Sequence, residues 1–176
     1  MHQRYNLALI PTNSLQFVQY SDSLSQIAPT DTYQLGQDSL PHVTLCQFEM
    51  PSNQIDAIWD KVKALELASI ELHFAIKRSK IYEHAKWGGV CWVSLISNEL
   101  NKLKEMHLDI TQIIKNPINA AFNDYDPHLT LFNSNYEEAY AHLNLEPEVN
   151  PPLRDEFRIA LGLLDNVGQI TEILES

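Results

Sequence analysis

Basic side chains are scarce in this sequence. Its 176 residues carry 12 Lys and Arg against 23 Asp and Glu, for a formal net charge of −11. Extended contact with nucleic acid or with an anionic membrane needs a basic face, so both are disfavoured. A small phosphorylated ligand held in a pocket is compatible with the balance, because a local field can oppose the net charge. Cysteine is scarcer still. Cys46 and Cys91 both lie in apolar, strand-like runs and read as buried thiols. No His-x-x-x-His or Cys-x-x-Cys spacing occurs. His42, His128, Asp124 and Asp126 therefore lack a zinc signature, and no metal or other cofactor is expected. Five glycines exclude a collagen-like chain, and no biased tract suggests low complexity. No apolar run reaches the roughly 18 residues of a membrane span. The N-terminus leads directly into an alternating strand without a signal-peptide core, so the expected location is cytoplasmic. With 44% hydrophobic and 20% charged residues, the composition is that of a globular chain with a core.

What the chain does have is one short motif, twice. Pro41-His42-Val43-Thr44-Leu45 returns as Pro127-His128-Leu129-Thr130-Leu131, 86 positions later. A histidine and a threonine two apart in an apolar run suit a β-strand. His42 and Thr44 would share one face, roughly 7 Å apart, while Val43 and Leu45 turn into a core. The same holds for His128, Thr130, Leu129 and Leu131. Two such strands brought together would make a site of two imidazoles and two hydroxyls.

The pattern around the motifs repeats as well. Residues 4–10 alternate as a strand ended by Pro11, and Asn13 or Ser14 can cap a helix with Phe17, Tyr20, Leu24 and Ile27 on one face. Residues 30–40 read as loop and 42–49 as the first motif strand. Ser52 opens a helix with Ile55, Ile58, Trp59, Val62 and Leu65, and residues 70–77 alternate as a strand. The second half follows the same order: a strand at 90–96, then a helix with Leu100, Leu103, His107, Ile110 and Ile114, stopped at Asn116-Pro117. Next come the motif strand at 128–133, a short helix from Asn135 with Glu138 in a capping-box variant, a proline-rich loop at 146–152, and strands at 156–164 and 168–174. Shifting by 86 residues superposes the first-half elements on the second, although few residues outside the motif are identical. The expected architecture is α+β: one bilobed domain over 1–176, with duplicated lobes at about 4–78 and 88–164 joined by a segment at 78–88. Each lobe is an antiparallel sheet with helices outside, and the motif strands face a cleft across a pseudo-twofold axis.

The chemistry of the pair is legible without further context. Imidazole has an unperturbed pKa of about 6.5, so it serves as base or acid near neutral pH. Two histidines on opposite sides of a phosphorus can assist in-line displacement, and two hydroxyls can donate to the non-bridging oxygens. The remaining histidines, His2, His73, His84, His107 and His142, read as surface or structural. The linking segment is locally basic and aromatic. It offers Lys80, Tyr82, Lys86 and Trp87 as substrate-binding candidates at a cleft rim, with Tyr33 a further stacking candidate.

The tetrads His42-Val43-Thr44-Leu45 and His128-Leu129-Thr130-Leu131 resemble those of the two-histidine (2H) phosphoesterase superfamily, which includes bacterial RNA 2′,5′-ligase-like proteins and 2′,3′-cyclic nucleotide phosphodiesterases. The resemblance implies a bilobed fold with a central cleft, His42, Thr44, His128 and Thr130 as the catalytic set, and no metal. It implies hydrolysis of a 2′,3′-cyclic phosphate on a nucleotide or short RNA end. RNA 2′,5′-ligation, or nucleotide binding without turnover, is the alternative. The family's usual reading makes His128 the base and His42 the acid, but the tetrads are symmetric and do not choose. Many ligase-like members carry arginine two residues beyond the tetrad, where this chain has Gln47 and Asn133. That departure, with the charge of −11, points to a small cyclic-phosphate ligand and a monomer without an extended nucleic-acid surface.

Overall fold

Alternating apolar residues build a single antiparallel sheet. The computed structural model describes residues 2–27, 33–84, 88–118, 124–134, 147–165 and 168–176. The strands are β1 (His2–Pro11), β2 (Val43–Pro51), β3 (Ile70–His84), β4 (Gly88–Ser97), β5 (Pro117–Ile118), β6 (Leu129–Ser134), β7 (Glu148–Leu164) and β8 (Ile170–Glu175). The helices are α1 (Leu15–Ser25), α2 (Ile55–Lys63) and α3 (Leu100–Ile113). The sheet order is β5-β2-β1-β7-β3-β4-β6, with β8 added to β7. Exchanging β1 for β4, β2 for β6 and β7 for β3 reverses the order of the six core strands, so the pseudo-twofold axis passes between β3 and β7. The fold is α+β and bilobed, with an open sheet.

The repeat extends to hydrogen-bond register. Tyr5, Leu7, Ala8 and Leu9 of β1 face Phe48, Cys46, Thr44 and Val43 of β2. Cys91, Val93, Ser94 and Leu95 of β4 face Ser134, Phe132, Thr130 and Leu129 of β6. Every pair moves by the same 86 positions, and both ladders carry a bulge at the same step, between Leu7 and Ala8 and between Val93 and Ser94. The bulged residues are Leu45 and Leu131, both buried. A bulge removes one residue from the ladder and leaves its backbone groups to find other partners.

Those partners come from the helices. Ser21 Oγ on α1 donates to the Leu131 carbonyl at 2.9 Å, and the Leu35 N–H donates to it at 2.8 Å. His107 on α3 places Nδ1 2.6 Å from the Leu45 carbonyl. Ser21 and His107 are also 86 positions apart, so one structural role is filled by two chemically different residues. Each helix thus braces the motif strand of the opposite half. The apolar interior lies between helices and sheet. Phe17 of α1 meets Phe74 of β3 and Phe157 of β7, all with ring centroids within 5.8 Å of one another. Full burial of each such ring contributes about 1.5–3 kcal/mol.

Four sequence expectations need correction. Residues 148–152 are not loop but the start of β7, a strand of 17 residues. The pairing with β3 steps from Phe74↔Leu153 to Ile76↔Glu148, and Pro151 and Pro152, which lack N–H donors, fall within that irregularity. The strand expected to end at 77 continues to His84, where it pairs with Gly88 at the start of β4. His42 and His128 each stand one residue before their strands and not within them. Ile27, expected on the apolar face of α1, lies beyond its end and is exposed. The helix expected from Asn135 lies outside the described residues.

Candidate active site

The turn entering each motif strand sets the orientation of its histidine. His42 Nδ1 lies 2.7 Å from the Leu40 carbonyl, and His128 Nδ1 lies 2.7 Å from the Asp126 carbonyl. Leu40 and Asp126 are again 86 positions apart. A carbonyl only accepts, so Nδ1 carries the proton in both rings, and the unprotonated lone pair of each neutral imidazole is on Nε2. Both rings are half-buried, and a charge on His128 would lower the proton affinity of His42.

Cross-strand partners place their side chains on the same face, so the register defines the two walls beside the histidines. On the first wall, Thr44 sits in a row with Ala8 and Ala160, and Gln47 in a row with Asn6 and Gly162. On the second, Thr130 is in a row with Ser94 and Arg78, and Asn133 with Trp92 and Lys80. The bulge is what returns Gln47 and Asn133 to the face of the threonines. The backbone is symmetric here, but the side chains are not. Arg78 and Lys80 occupy the places that Ala160 and Gly162 take in the other lobe. Ile170 of β8 lies over Gly162, where a Cβ would come within 2.9 Å of it. Ile170 packs with Ala8 and Leu164 and covers that part of the first wall.

The asymmetry is electrostatic as well. Arg78 makes a bidentate pair with Asp126, at 2.9 and 2.7 Å, and Asp126 supplies the carbonyl that holds His128. Burial opposes ionisation of Asp126, but the hydrogen bonds and charge of Arg78 keep its carboxyl below the usual range. Burial lowers the pKa of His128. The carbonyl and carboxylate of Asp126 pull it back up, while Arg78 and Lys80 press it down. His42 has no such compensation beyond its bond to Leu40, and burial pushes it down to about 4. Both imidazoles are therefore neutral near pH 7 in the free protein.

A second layer fixes the first motif strand. The Tyr125 hydroxyl donates to the Thr44 carbonyl at 2.7 Å, and its ring stacks on His107 at 3.9 Å and 6°. His107 is 2% exposed, so its role is structural. Asn6 Nδ2 donates to Thr44 Oγ1 at 2.9 Å.

Of the substrate-binding candidates, Lys80 is exposed on the second wall and its charge acts on His128 and Asp126. Tyr33 does not offer an open stacking face: it is 4% exposed, with its ring against Trp92 at a centroid distance of 5.6 Å. It is held there because Asn133 Oδ1 accepts its N–H at 2.9 Å. Tyr82 lies on β3 within the paired hairpin. Lys86 and Trp87 lie outside the described residues. His73, read as surface or structural, is partly exposed and lies 2.7 Å from Glu71 and 3.0 Å from Glu99. Sequence reasoning did not place Asn6 and Arg78 beside the motif, because only the strand register brings them to the threonines. It weighed Asp126 with the histidines only as a metal ligand, not as the partner of Arg78 and His128. Among the described residues, no cluster of three His, Cys, Asp or Glu side chains forms a metal-binding group. No described helix is long and apolar enough to cross a membrane.

A family profile described as the 2′-5′ RNA ligase superfamily matches residues 20–161. The chain belongs to this superfamily, that of the two-histidine phosphoesterases. Among solved structures, Escherichia coli LigT complexed with phosphate superposes with a TM-score of 0.61 at 13% identity, covering 99% of this chain and 95% of that one. LigT complexed with 3′-AMP gives 0.60 at 15% identity, covering 99% and 95%. Kluyveromyces marxianus Usb1 with uridine monophosphate gives 0.55 at 13% identity, covering 98% and 97%. At these identities the likeness concerns the fold. No curated protein sequence matches the chain significantly.

Proposed function

We propose that the protein is a metal-independent phosphoesterase that opens 2′,3′-cyclic phosphates on nucleotides or short RNA ends, with His42, Thr44, His128 and Thr130 as its catalytic residues. The observation that carries this reading is the matched pair of imidazoles, each with Nδ1 bonded to the carbonyl two residues back and Nε2 left for proton transfer. In the reaction, one Nε2 removes a proton from water as its oxygen attacks phosphorus. The bond to one ribose oxygen breaks in line, and the other imidazolium protonates that oxygen. The threonine hydroxyls donate to the non-bridging oxygens, whose charge grows in the transition state. Burial lowers the proton affinity of both rings, and the matched geometry lets either serve as the base while the other, protonated, is the acid. An anionic phosphate between the rings raises the proton affinity of both, so the acid is charged on ligand binding.

The ligand is small. LigT and Usb1 have been crystallised with 3′-AMP and uridine monophosphate, which supports a mononucleotide-sized occupant. The net charge and the uncharged Gln47 and Asn133 argue the same way. The test is turnover of 2′,3′-cyclic mononucleotides in the presence of a chelator. His42→Ala and His128→Ala should each abolish nearly as much activity as the double variant, because acid and base act in one step. Thr44→Ala and Thr130→Ala should each cost on the order of 10²-fold. Full activity in His128→Ala, or a requirement for added metal, would refute the proposal. A strong preference for cyclic-phosphate-ended RNA that collapses as salt rises would overturn the small-ligand reading. Nucleotide binding with no turnover would leave only the binding module.

A further inference from the structure

Asn6 sits on β1 directly beside the first motif strand, and its side chain is 0% exposed. Its Nδ2 donates to Thr44 Oγ1 at 2.9 Å, while its Oδ1 is buried with no hydrogen-bond partner among the described residues. A half-satisfied buried amide is destabilising, and an apolar residue of the same size would fit the site at lower cost. The second lobe shows that the fold does not require it. The position 86 residues on is Trp92, which lies against Tyr33. There the Thr130 hydroxyl has no hydrogen-bond partner among the described residues.

We propose that Asn6 is a positioning residue that aims the hydroxyl proton of Thr44 at the phosphate. A hydroxyl has one proton and two lone pairs. The Asn6 N–H occupies a lone pair, so the Thr44 proton is directed away from Asn6, and in the proposed site the acceptor it meets is a non-bridging phosphate oxygen. Thr44 is then a fixed donor, oriented before the substrate arrives, whereas Thr130 rotates. The two hydroxyls, identical in sequence context, are unequal in the reaction: the first lobe supplies the pre-aimed contact to the non-bridging oxygen. The inference rests on the catalytic reading of the site and adds to it a residue and a difference between the lobes.

A double-mutant cycle with Asn6→Leu and Thr44→Val tests it, reading kcat, KM and melting temperature on a 2′,3′-cyclic nucleotide. Asn6→Leu should lower kcat about tenfold, the factor of one neutral hydrogen bond, with little change in KM. Its melting temperature should hold or rise, since the unpaired carbonyl is gone. In the Thr44→Val background the same substitution should have no further effect on kcat. The near-isosteric Asn6→Asp provides a second readout. Its carboxylate captures the Thr44 proton, so its activity relative to wild type should be low at neutral pH and recover as the carboxyl protonates and becomes a donor again. Wild-type kcat in Asn6→Leu, multiplicative losses in the double variant, or an Asn6→Asp profile parallel to wild type would overturn the inference while leaving the catalytic reading intact. If Asn6→Leu does not fold, the Asn6→Asp profile decides. A wild-type protein without turnover overturns both together.

Discussion

Acidification should expose the cost of burying His42. Its pKa is pushed from the ordinary 6.5 to about 4, first by burial and then by the neighbouring His128, against the bond to Leu40. A histidine with a depressed folded-state pKa stabilises nothing by being charged. The unfolded chain takes up the proton first, so stability is intact above the unfolded value and falls as pH drops toward the folded one. Between about pH 7 and about pH 4.5 the full shift corresponds to a loss of about 2 kcal/mol. The ring keeps part of its surface in water, and screening reduces this to about 1 kcal/mol. In a chain of this length that is a fall of about 3 °C in melting temperature. The assay is thermal unfolding across this range for wild type and His42→Gln, which still can donate to Leu40. The variant should lose about 3 °C less than wild type over the same interval. Asp126, held below the usual carboxylate range, and Glu99, whose pKa is also lowered, contribute stability that disappears only at more acid pH, and His128 is common to both proteins. Identical pH dependence in the two proteins, or an NMR titration of His42 at its ordinary value, would refute the reasoning.

Two further outcomes follow from the same geometry. His107→Leu removes the donor to the bulged Leu45 carbonyl, and the orphaned group should cost about 1–3 kcal/mol in chemical denaturation, whereas Ser21→Ala should cost less because Leu35 still donates to Leu131. Arg78→Met removes a cation that presses the His128 pKa down, so the limb of the pH–rate profile governed by His128 should move to higher pH, and an unmoved limb would separate Arg78 from the site.

Much of this site was written in the chain because the repeat of Pro-His-x-Thr-Leu needs no structure to be seen. Period-two alternation marked β1, β2 and β4 for the same reason, and helical spacing of apolar residues marked α1 to α3, although α2 and α3 start after Gln54 and Glu99 and none of the three N-cap side chains makes a capping hydrogen bond. The failures have physical causes. The prolines of β7 are loop signals locally, yet an irregular step in the pairing with β3 accommodates them. The braces on the bulged carbonyls escaped notice because serine and histidine perform one task, and equivalence of role is invisible to residue identity. Asn6 gave no local signal and Arg78 only that of a locally basic segment, since what brings both to the threonines is pairing between strands distant in sequence. Tyr33 was read as an open aromatic in a loop, and only the contact with Trp92 and the bond to Asn133 show where its ring is spent.

The crossed braces have a consequence for how the molecule holds together. Because α1 ties down the motif strand of the second half and α3 that of the first, neither half owns a complete supporting frame. A half-chain alone would present a bulged carbonyl with no helix to receive it and an apolar strand face with nothing above it. The geometry is that of two protomers with exchanged arms on one polypeptide. Because the halves share one chain and not one gene product repeated, each position is free to differ: serine holds the place of histidine and asparagine that of tryptophan while the backbone keeps its register.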